Sequence, residues 1–238
     1  MTRSERYILR LAPLMPLFAK NFPFPVQGMG SRYYLLKQPW IGFEDILNMA
    51  RTFIALDIPF NCRKLIKEHV TAWRSHQADV RWVDPDNLHL TIKFLGEVPE
   101  NRLEPVLSAC KAVAETHKDF SLCLSGTGAF PDAANPRVLW VGIKGDLSAM
   151  SGLQFVLDLA LEEKGFTREV RPFLPHLTTG RVRSRRRITE FMESYLKDGI
   201  ESASFIVNEI TVYRSELTGS GPLYHQLAGY HMGLYAAS

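Results

Sequence analysis

Two copies of the tripeptide His-Leu-Thr carry the side chains of this sequence that are best suited to acid–base chemistry. The first copy places His89 two residues before Thr91, and the second places His176 two residues before Thr178. The first copy lies in a run of alternating apolar and polar residues, and both copies lie in segments that are predicted to be β-strands. Side chains two positions apart project from the same face of a strand, about 6–7 Å apart. Each motif therefore presents an imidazole and a hydroxyl to one surface, while its leucine packs into the core.

Phosphoryl transfer without a metal is the chemistry that uses two such pairs. Imidazole titrates at about pH 6.5, so one histidine can accept a proton while the other donates one. Threonine hydroxyls can donate hydrogen bonds to the non-bridging phosphoryl oxygens, whose charge must be stabilised. An in-line displacement puts the attacking and leaving oxygens on opposite sides of phosphorus, so the acid and the base must come from opposite walls. Two motifs separated by 87 residues can form those walls.

The elements that position the motifs are predicted from Met49 onward. Strands are predicted over residues 52–57, 80–83, 87–95, 119–125, 137–143, 175–182, 202–214 and 222–230. Helices are predicted over residues 61–76, from Pro99 to about 114, over 146–164 and over 187–197. Strands that are interleaved with amphipathic helices in this way indicate an α+β protein with largely antiparallel sheets.

The composition is that of a globular protein, with 46% hydrophobic and 22% charged residues in 238. No stretch approaches the roughly 18 uncharged apolar residues of a membrane-spanning helix, so no membrane association is predicted. The formal net charge of +3 arises in residues 1–48, where six basic residues face three acidic ones, and the rest of the chain has 22 of each. The body of the protein is therefore not a nucleic-acid binder that relies on bulk charge, and a polyanion must bind through a local patch.

Residues 1–48 differ from the rest of the chain because they contain five prolines and no sustained helix or strand period. Two of those prolines interrupt the apolar run over residues 11–19, and no cleavage site follows, so a secretory signal is not favoured. We expect either a poorly ordered extension or upstream sequence read from a misassigned start, with Met49 as the functional start.

The cysteines indicate a reducing compartment. Cys62, Cys110 and Cys123 are an odd number without CxxC spacing, so neither a disulfide framework nor a zinc ribbon is predicted. We therefore expect a cytoplasmic location. We also expect a monomer with no obligate protein partner.

The motifs and their flanking residues resemble the 2H phosphoesterase superfamily and, within it, the RNA 2′,3′-cyclic phosphodiesterase family, also called the 2′-5′ RNA ligase family. The resemblance covers about residues 49–230, and residues 1–48 have no counterpart. The segments that carry it are Arg51–Asp57, Asn87–Glu97, Arg137–Gly142, Pro175–Arg181 and Ser220–Tyr224. It implies that residues 49–238 form a single bilobal, pseudo-symmetric domain. Each lobe is expected to hold an antiparallel sheet with helices outside, and the motifs are expected to face each other across a central cleft.

The reaction that the resemblance implies is hydrolysis of RNA 2′,3′-cyclic phosphate ends, such as those of tRNA fragments, to 2′-phosphomonoesters. His89 corresponds to the proton donor and His176 to the proton acceptor. Thr91, Thr178 and Arg181 correspond to residues that bind the phosphoryl group. No metal and no other cofactor is implied. The same site could instead join two RNA ends through a 2′-5′ linkage, or it could cleave such a linkage.

Two readings from other classes stay open. A non-catalytic module that binds RNA ends would keep the cleft, although binding alone does not need two titrating imidazoles. The second alternative is a metal-dependent nuclease, which would lose its activity in EDTA.

Other residues near the motifs have two interpretations each. The arginine-rich segment 181–187 is either a solvated loop or a contact for RNA phosphates beyond the active site. Lys93 is expected on the face of the first motif, where it either attracts phosphate or lies in solvent. Trp82 and Phe94 could each stack on a terminal base, but alternation predicts that Phe94 faces the core, and Trp82 is expected to be packed. Structural or solvent-facing positions are expected for the other histidines, which are His69, His76, His117, His225 and His231.

Overall fold

A computed structural model describes residues 49–219 and 221–233, so the prediction for residues 1–48 lies outside the described residues. The nine strands within those residues are β1 (Met49–Asp57), β2 (Val80–Trp82), β3 (His89–Pro99), β4 (Phe120–Phe130), β5 (Val138–Gly145), β6 (His176–Val182), β7 (Phe205–Val207), β8 (Glu209–Leu217) and β9 (Pro222–His231). The four α-helices are α1 (Phe60–Arg74), α2 (Leu103–Thr116), α3 (Leu147–Glu163) and α4 (Ile188–Lys197).

The strands form two antiparallel sheets. One has four strands in the order β3-β1-β8-β9, and the other has five in the order β2-β6-β5-β4-β7. Every strand pairing in both sheets is antiparallel among the residues with assigned structure. The predicted α+β class with an antiparallel sheet in each half is therefore confirmed. The first motif lies on an outer strand of the four-stranded sheet, and the second lies inside the five-stranded sheet.

Each sheet carries two helices on one face. Helices α2 and α3 pack against each other and against the four-stranded sheet. Helices α1 and α4 cover the five-stranded sheet, where Trp73 of α1 contacts Tyr195 of α4 with ring centroids 4.7 Å apart. The buried stripe of α1 consists of the four residues that the helical period predicts, Cys62, Ile66, Val70 and Trp73. Buried side chains from both sheets and all four helices join one hydrophobic cluster.

Two segments differ from the sequence prediction. Residues 202–214 were expected to form one strand, but Asn208 separates β7, in the five-stranded sheet, from β8, in the four-stranded sheet. The chain thus changes sheets at a point where the apolar pattern has no break. Pro99 was expected to open a helix, yet it ends β3, and a 3₁₀ turn over Glu100–Arg102 leads into α2. No helix in the described part of the chain is long and apolar enough to cross a membrane.

Candidate active site

The first wall of the site is β3, which is bulged just beyond the His-Leu-Thr motif. His89 and Thr91 lie opposite Asp57 and Ala55 of β1, on the face that lines the cleft. The register then shifts, because Ile92 has no counterpart on β1. After this bulge the side chain of Phe94 returns to the cleft face.

The second wall, β6, has a bulge at the same distance from its motif. His176 and Thr178 line the cleft, and Thr179 is the extra residue with no counterpart on β5. The Thr179 side chain is buried against Tyr195 of α4, on the other face of the sheet. Arg181 is thereby returned to the cleft face, although an odd spacing of five from His176 would place it on the opposite face of an unbulged strand. In both walls the cleft residues therefore follow the histidine by zero, two and five positions.

The first bulge overturns two expectations from strand alternation. Lys93 was expected beside the motif, but it is buried and forms an ion pair with Asp158 of α3. Its ammonium group also donates a hydrogen bond to the Thr167 carbonyl at 2.7 Å. Phe94 was expected in the core, but its side chain is 66% exposed in the cleft. One extra residue exchanges the faces of these neighbours, and no sequence period reveals it.

Both motif histidines are held by the same backbone contact. The Nδ1 atom of His89 lies 2.8 Å from the carbonyl oxygen of Asn87, and Nδ1 of His176 lies 2.7 Å from the carbonyl oxygen of Leu174. A carbonyl oxygen can only accept, so Nδ1 carries the hydrogen in each ring. Nε2 is therefore the nitrogen of each histidine that is left for a substrate.

Aromatic rings fix the planes of the two imidazoles. Phe53, on β1, stacks on His89 with ring centroids 4.7 Å apart. Phe130, at the end of β4, meets His176 edge-on with centroids 4.9 Å apart. Tyr224, on β9, meets His89 edge-on with ring centroids 5.3 Å apart. His89 is the more enclosed of the two histidines, and this burial lowers its pKa below the usual value of 6.5.

A carboxylate next to His89 opposes that shift. Asp57 accepts hydrogen bonds from the Tyr213 hydroxyl at 2.9 Å and from the Thr211 hydroxyl at 3.0 Å, and its Oδ1 lies 3.4 Å from the Arg63 guanidinium. Its negative charge raises the pKa of His89, although by less than burial lowers it. Burial, followed by the same carboxylate, raises the pKa of the Tyr213 hydroxyl. Tyr213 therefore stays a neutral hydrogen-bond donor, which holds the Asp57 carboxylate in place.

The cleft between the walls favours anions. Five basic side chains line it against two acidic ones, and the basic set is Arg51, Lys67, Arg74, Arg81 and Arg181. Its volume of about 1270 Å³ exceeds the roughly 300–1,000 Å³ of small-molecule pockets, which leaves room for more than one nucleotide. Within the described residues, the hydroxyls of Thr91 and Thr178 make no hydrogen bond to the protein. These hydroxyls are thus available to a ligand.

All five site residues predicted from the sequence line this one cleft, and further residues join them. Tyr224 lies near two cationic groups, Arg51 and Arg181, although burial is the larger influence and raises the pKa of its hydroxyl. The sequence contained a signal for Tyr224, since it ends the last segment of the family resemblance. Arg51 had the same signal, because it begins the first segment of that resemblance. Arg81 lies outside every segment and had no signal, because an isolated arginine in a strand is usually solvated.

The remaining arginines of segment 181–187 do not line the cleft. Arg185 donates to the side-chain oxygen of Asn135 at 3.0 Å, and Arg187 donates to that of Gln77 at 2.6 Å. These contacts agree better with a structural loop than with a phosphate track leading into the cleft.

The other histidines lie outside the cleft as well. His69 begins a further His-x-Thr triplet, His69-Val-Thr71, but it lies on α1, where positions i and i+2 do not share a face. Its Nδ1 contacts the Asp198 carboxylate at 3.0 Å. Across residues 49–219 and 221–233, no three His, Cys, Asp or Glu side chains are grouped so that they could hold a metal ion.

Comparison with known proteins gives consistent results. The model of the LigT-like phosphoesterase family matches residues 58–140. An RNA 2′,3′-cyclic phosphodiesterase of Methanothermobacter thermautotrophicus is 34% identical over 177 residues, which cover 73% of this chain and 94% of that protein. A crystal structure from Thermus thermophilus is similar with a TM-score of 0.65 and 27% identity, covering 76% of this chain and 97% of that one. The crystal structure of E. coli LigT complexed with 3′-AMP has a TM-score of 0.62 and 26% identity, covering 78% of this chain and 99% of that one.

Proposed function

We propose, since this chain belongs to the LigT-like phosphoesterase family, that it hydrolyses 2′,3′-cyclic phosphate ends of RNA to 2′-phosphomonoesters without a metal ion. The observation that carries this proposal is the pair of histidines on two walls of one cleft, each with Nδ1 bound to a backbone carbonyl. Both imidazoles thus offer Nε2 to a group bound between them. One can transfer a proton to the substrate while the other removes a proton from water.

The proposed reaction is a single in-line displacement. His176 accepts a proton from a water molecule through Nε2, and the water oxygen forms a bond to phosphorus. The bond between phosphorus and the 3′-oxygen breaks, and Nε2 of His89 donates its proton to that oxygen. The products are a 3′-hydroxyl and a 2′-phosphomonoester, and the two histidines have exchanged protonation states.

Four groups bind the phosphoryl oxygens in this proposal. The hydroxyls of Thr91 and Thr178 donate from opposite walls, which matches two non-bridging oxygens on one phosphorus atom. The Arg181 guanidinium adds a charge-assisted contact from the second wall. The Tyr224 hydroxyl, neutral because its pKa is raised, supplies a further donor beside Arg181.

The lowered pKa of His89 is compatible with its assignment as the donor. A group of lower pKa gives up its proton more readily, which favours transfer to an alkoxide leaving group. Free His89 is then mostly neutral at pH 7, and the negative charge of the bound phosphate raises its pKa and restores the proton. The negative charge of Asp57 also raises the pKa of His89.

The similar proteins support a nucleotide in the cleft. Several relatives at 30–34% identity are named RNA 2′,3′-cyclic phosphodiesterase, and E. coli LigT has been crystallised in complex with 3′-AMP. The excess of basic residues in the cleft suits the same class of ligand.

The test is incubation of the purified protein, in EDTA, with a short RNA that ends in a 2′,3′-cyclic phosphate, followed by separation of 2′- from 3′-phosphate ends. A 2′-phosphate product formed at the same rate with and without EDTA is expected. A 3′-phosphate product would contradict the direction of ring opening, and loss of activity in EDTA would contradict the metal-free mechanism. RNA that is bound but not turned over would favour a binding module, and a 2′-5′ joined product would favour ligation.

A further inference from the structure

Arg81, on β2, lines the cleft but has no role in the reaction proposed above. It lies directly opposite Arg181 of β6 in an antiparallel pair, so the two side chains leave the sheet on the same face. Residues paired in this way have Cα atoms about 4.5–5.5 Å apart, and like charges at such positions destabilise the sheet. Anionic groups bound beside the two guanidinium groups offset this repulsion. The pair therefore suits a ligand that carries two anionic groups.

The cleft extends from the second motif toward β2. In the described part of the five-stranded sheet, the strands that line the cleft are β2 and β6, and β4, β5 and β7 do not line it. On the other side of β6, the rings of Trp140 and Phe130 pack together next to the motif, with centroids 5.4 Å apart. Since β2 is the outermost strand, an RNA chain whose last phosphate lies at the motifs leaves the cleft on the side of Arg81.

The Arg81 guanidinium lies where the two walls meet beyond the motifs. A Cβ atom on Gly221, in the turn between β8 and β9, would lie 3.2 Å from its Nη2. Arg81 thus reaches from the five-stranded sheet to a turn of the four-stranded sheet. Asn87 holds the end of the same turn, because its side-chain amide donates a hydrogen bond to the Pro222 carbonyl at 3.3 Å. A chain that leaves the cleft on this side passes the Arg81 guanidinium.

We infer that Arg81 binds the phosphodiester group that joins the terminal nucleotide to the one before it. This inference rests on the proposed function, because the cyclic phosphate is taken to lie between the motifs and beside Arg181. In RNA the phosphodiester is attached to the 5′-oxygen of the same ribose that carries the cyclic phosphate. The two neighbouring arginines therefore bind the two phosphates of one nucleotide, and the preferred substrate is an RNA and not a nucleoside 2′,3′-cyclic phosphate.

Two carboxylates limit how far this anion-binding surface extends. Asp84 and Asp86 line the same cleft, and the Asp84 carboxylate accepts a hydrogen bond from the backbone N–H of Asp86 at 3.1 Å. Their charges disfavour a long run of phosphates, although Lys67 and Arg74 of α1 also line the cleft. The inference is therefore a single phosphate at Arg81, without an extended track.

The test compares two substrates with the same reacting group and the same terminal base, adenosine 2′,3′-cyclic phosphate and adenylyl-3′,5′-adenosine 2′,3′-cyclic phosphate. The wild type is expected to have the higher kcat/KM on the dinucleotide. Arg81→Gln is expected to lose roughly 10- to 150-fold in kcat/KM on the dinucleotide, the equivalent of ~1.5–3 kcal/mol for a hydrogen bond to a charged group. Its loss on the mononucleotide is expected to stay within about twofold, because Arg81 does not touch the reacting atoms.

Two further variants separate the contact from folding and from bulk charge. Arg81→Lys should recover part of the loss on the dinucleotide, because lysine keeps the charge but not the forked geometry. Arg183→Gln, which removes an exposed positive charge outside the cleft, is the matched control and should retain the activity of the wild type on both substrates. An equal loss in Arg183→Gln and Arg81→Gln would overturn the inference.

A third substrate, the 5′-phosphate of adenosine 2′,3′-cyclic phosphate, distinguishes the phosphate from the preceding nucleoside. Arg81→Gln is expected to lose kcat/KM on this substrate as it does on the dinucleotide. A loss confined to the dinucleotide would overturn the phosphate assignment, because Arg81 would then contact the preceding nucleoside. Equal losses on all three substrates, or no loss on any of them, would overturn it as well.

Binding of the dinucleotide product, which ends in a 2′-monophosphate, tests the same contact without turnover. In Arg81→Gln its affinity should fall, and the slope of log affinity against log salt concentration should become shallower by about 0.7, the value for one phosphate of a single strand. This loss of affinity alongside an inactive wild-type protein would contradict the proposed function and support the phosphate contact. An active wild-type protein with unchanged product affinity in Arg81→Gln would contradict the phosphate contact alone.

Discussion

His89 and Asp57 lie directly opposite each other on the neighbouring strands β3 and β1. The carboxylate is fixed by Tyr213 and Thr211, and its charge raises the pKa of an imidazole that burial would otherwise lower further. Asp57 is therefore a positioning residue that sets how readily His89 carries a proton, without itself reaching the reacting atoms.

Asp57→Asn is expected to lower the pKa of His89. The wild-type value already lies below 6.5, and removal of the negative charge leaves burial less opposed. Less of the protein then carries protonated His89 at pH 7, so kcat/KM is also expected to fall. A titration of the His89 ring by ¹H–¹⁵N NMR measures the shift, with the exposed Asp119→Asn as the control. A pKa that is unchanged or raised in Asp57→Asn would disprove the coupling.

Arg181→Gln is expected to reduce kcat/KM by about 10- to 150-fold, since a hydrogen bond to a charged group contributes roughly 1.5–3 kcal/mol. Arg181→Lys should recover part of the loss, because lysine keeps the charge but not the forked geometry. Arg185→Gln is the matched control, since Arg185 bonds to Asn135 outside the cleft. Steady-state kinetics that show equal losses for the two glutamine variants would argue against a phosphate contact by Arg181.

Lys93→Met is expected to reduce the free energy of unfolding by about 3–5 kcal/mol, because it leaves the Asp158 carboxylate buried without its main partner. Replacing both residues, as Lys93→Met with Asp158→Leu, should be less destabilising than the single change. Urea unfolding measures both effects. Since Lys93 faces away from the cleft, the kcat/KM of the folded single variant should stay within about twofold of the wild type. A larger loss of kcat/KM at unchanged stability would restore the attraction of phosphate, one of the two roles considered for Lys93 from the sequence.

Tyr224→Phe is expected to lower kcat/KM by about 2- to 12-fold, the loss of one neutral hydrogen bond of roughly 0.5–1.5 kcal/mol. The ring, which packs against His89 and Phe53, is retained, so the free energy of unfolding should not change. Tyr230→Phe, on the same strand but outside the cleft, is the control. Unchanged kinetics in Tyr224→Phe would remove its hydroxyl from the site.

The sequence predicted the parts of the site that depend on short-range pattern. His89, Thr91, His176 and Thr178 alternate within strands, so their shared face follows from the period of two. The family resemblance brought Arg181 to the same cleft, although alternation alone would have excluded it.

The bulges are what the sequence could not show. An extra residue at Ile92 or Thr179 has no distinctive composition, yet each exchanges the faces of the residues that directly follow it. The positions of Lys93 and Phe94 were therefore predicted wrongly for one reason. The change of sheet at Asn208 has a similar origin, because both β7 and β8 satisfy one continuous strand pattern.

Single-turnover hydrolysis of an RNA 2′,3′-cyclic phosphate by His89→Ala and by His176→Ala tests the two-histidine mechanism most directly. Each variant is expected to lose about 10²- to 10⁴-fold in rate while RNA binding falls much less, and the double variant should lose little more than the slower single one. His225→Ala, a half-exposed histidine on β9 outside the cleft, should retain full activity. A rate within tenfold of the wild type in either single variant would contradict the mechanism.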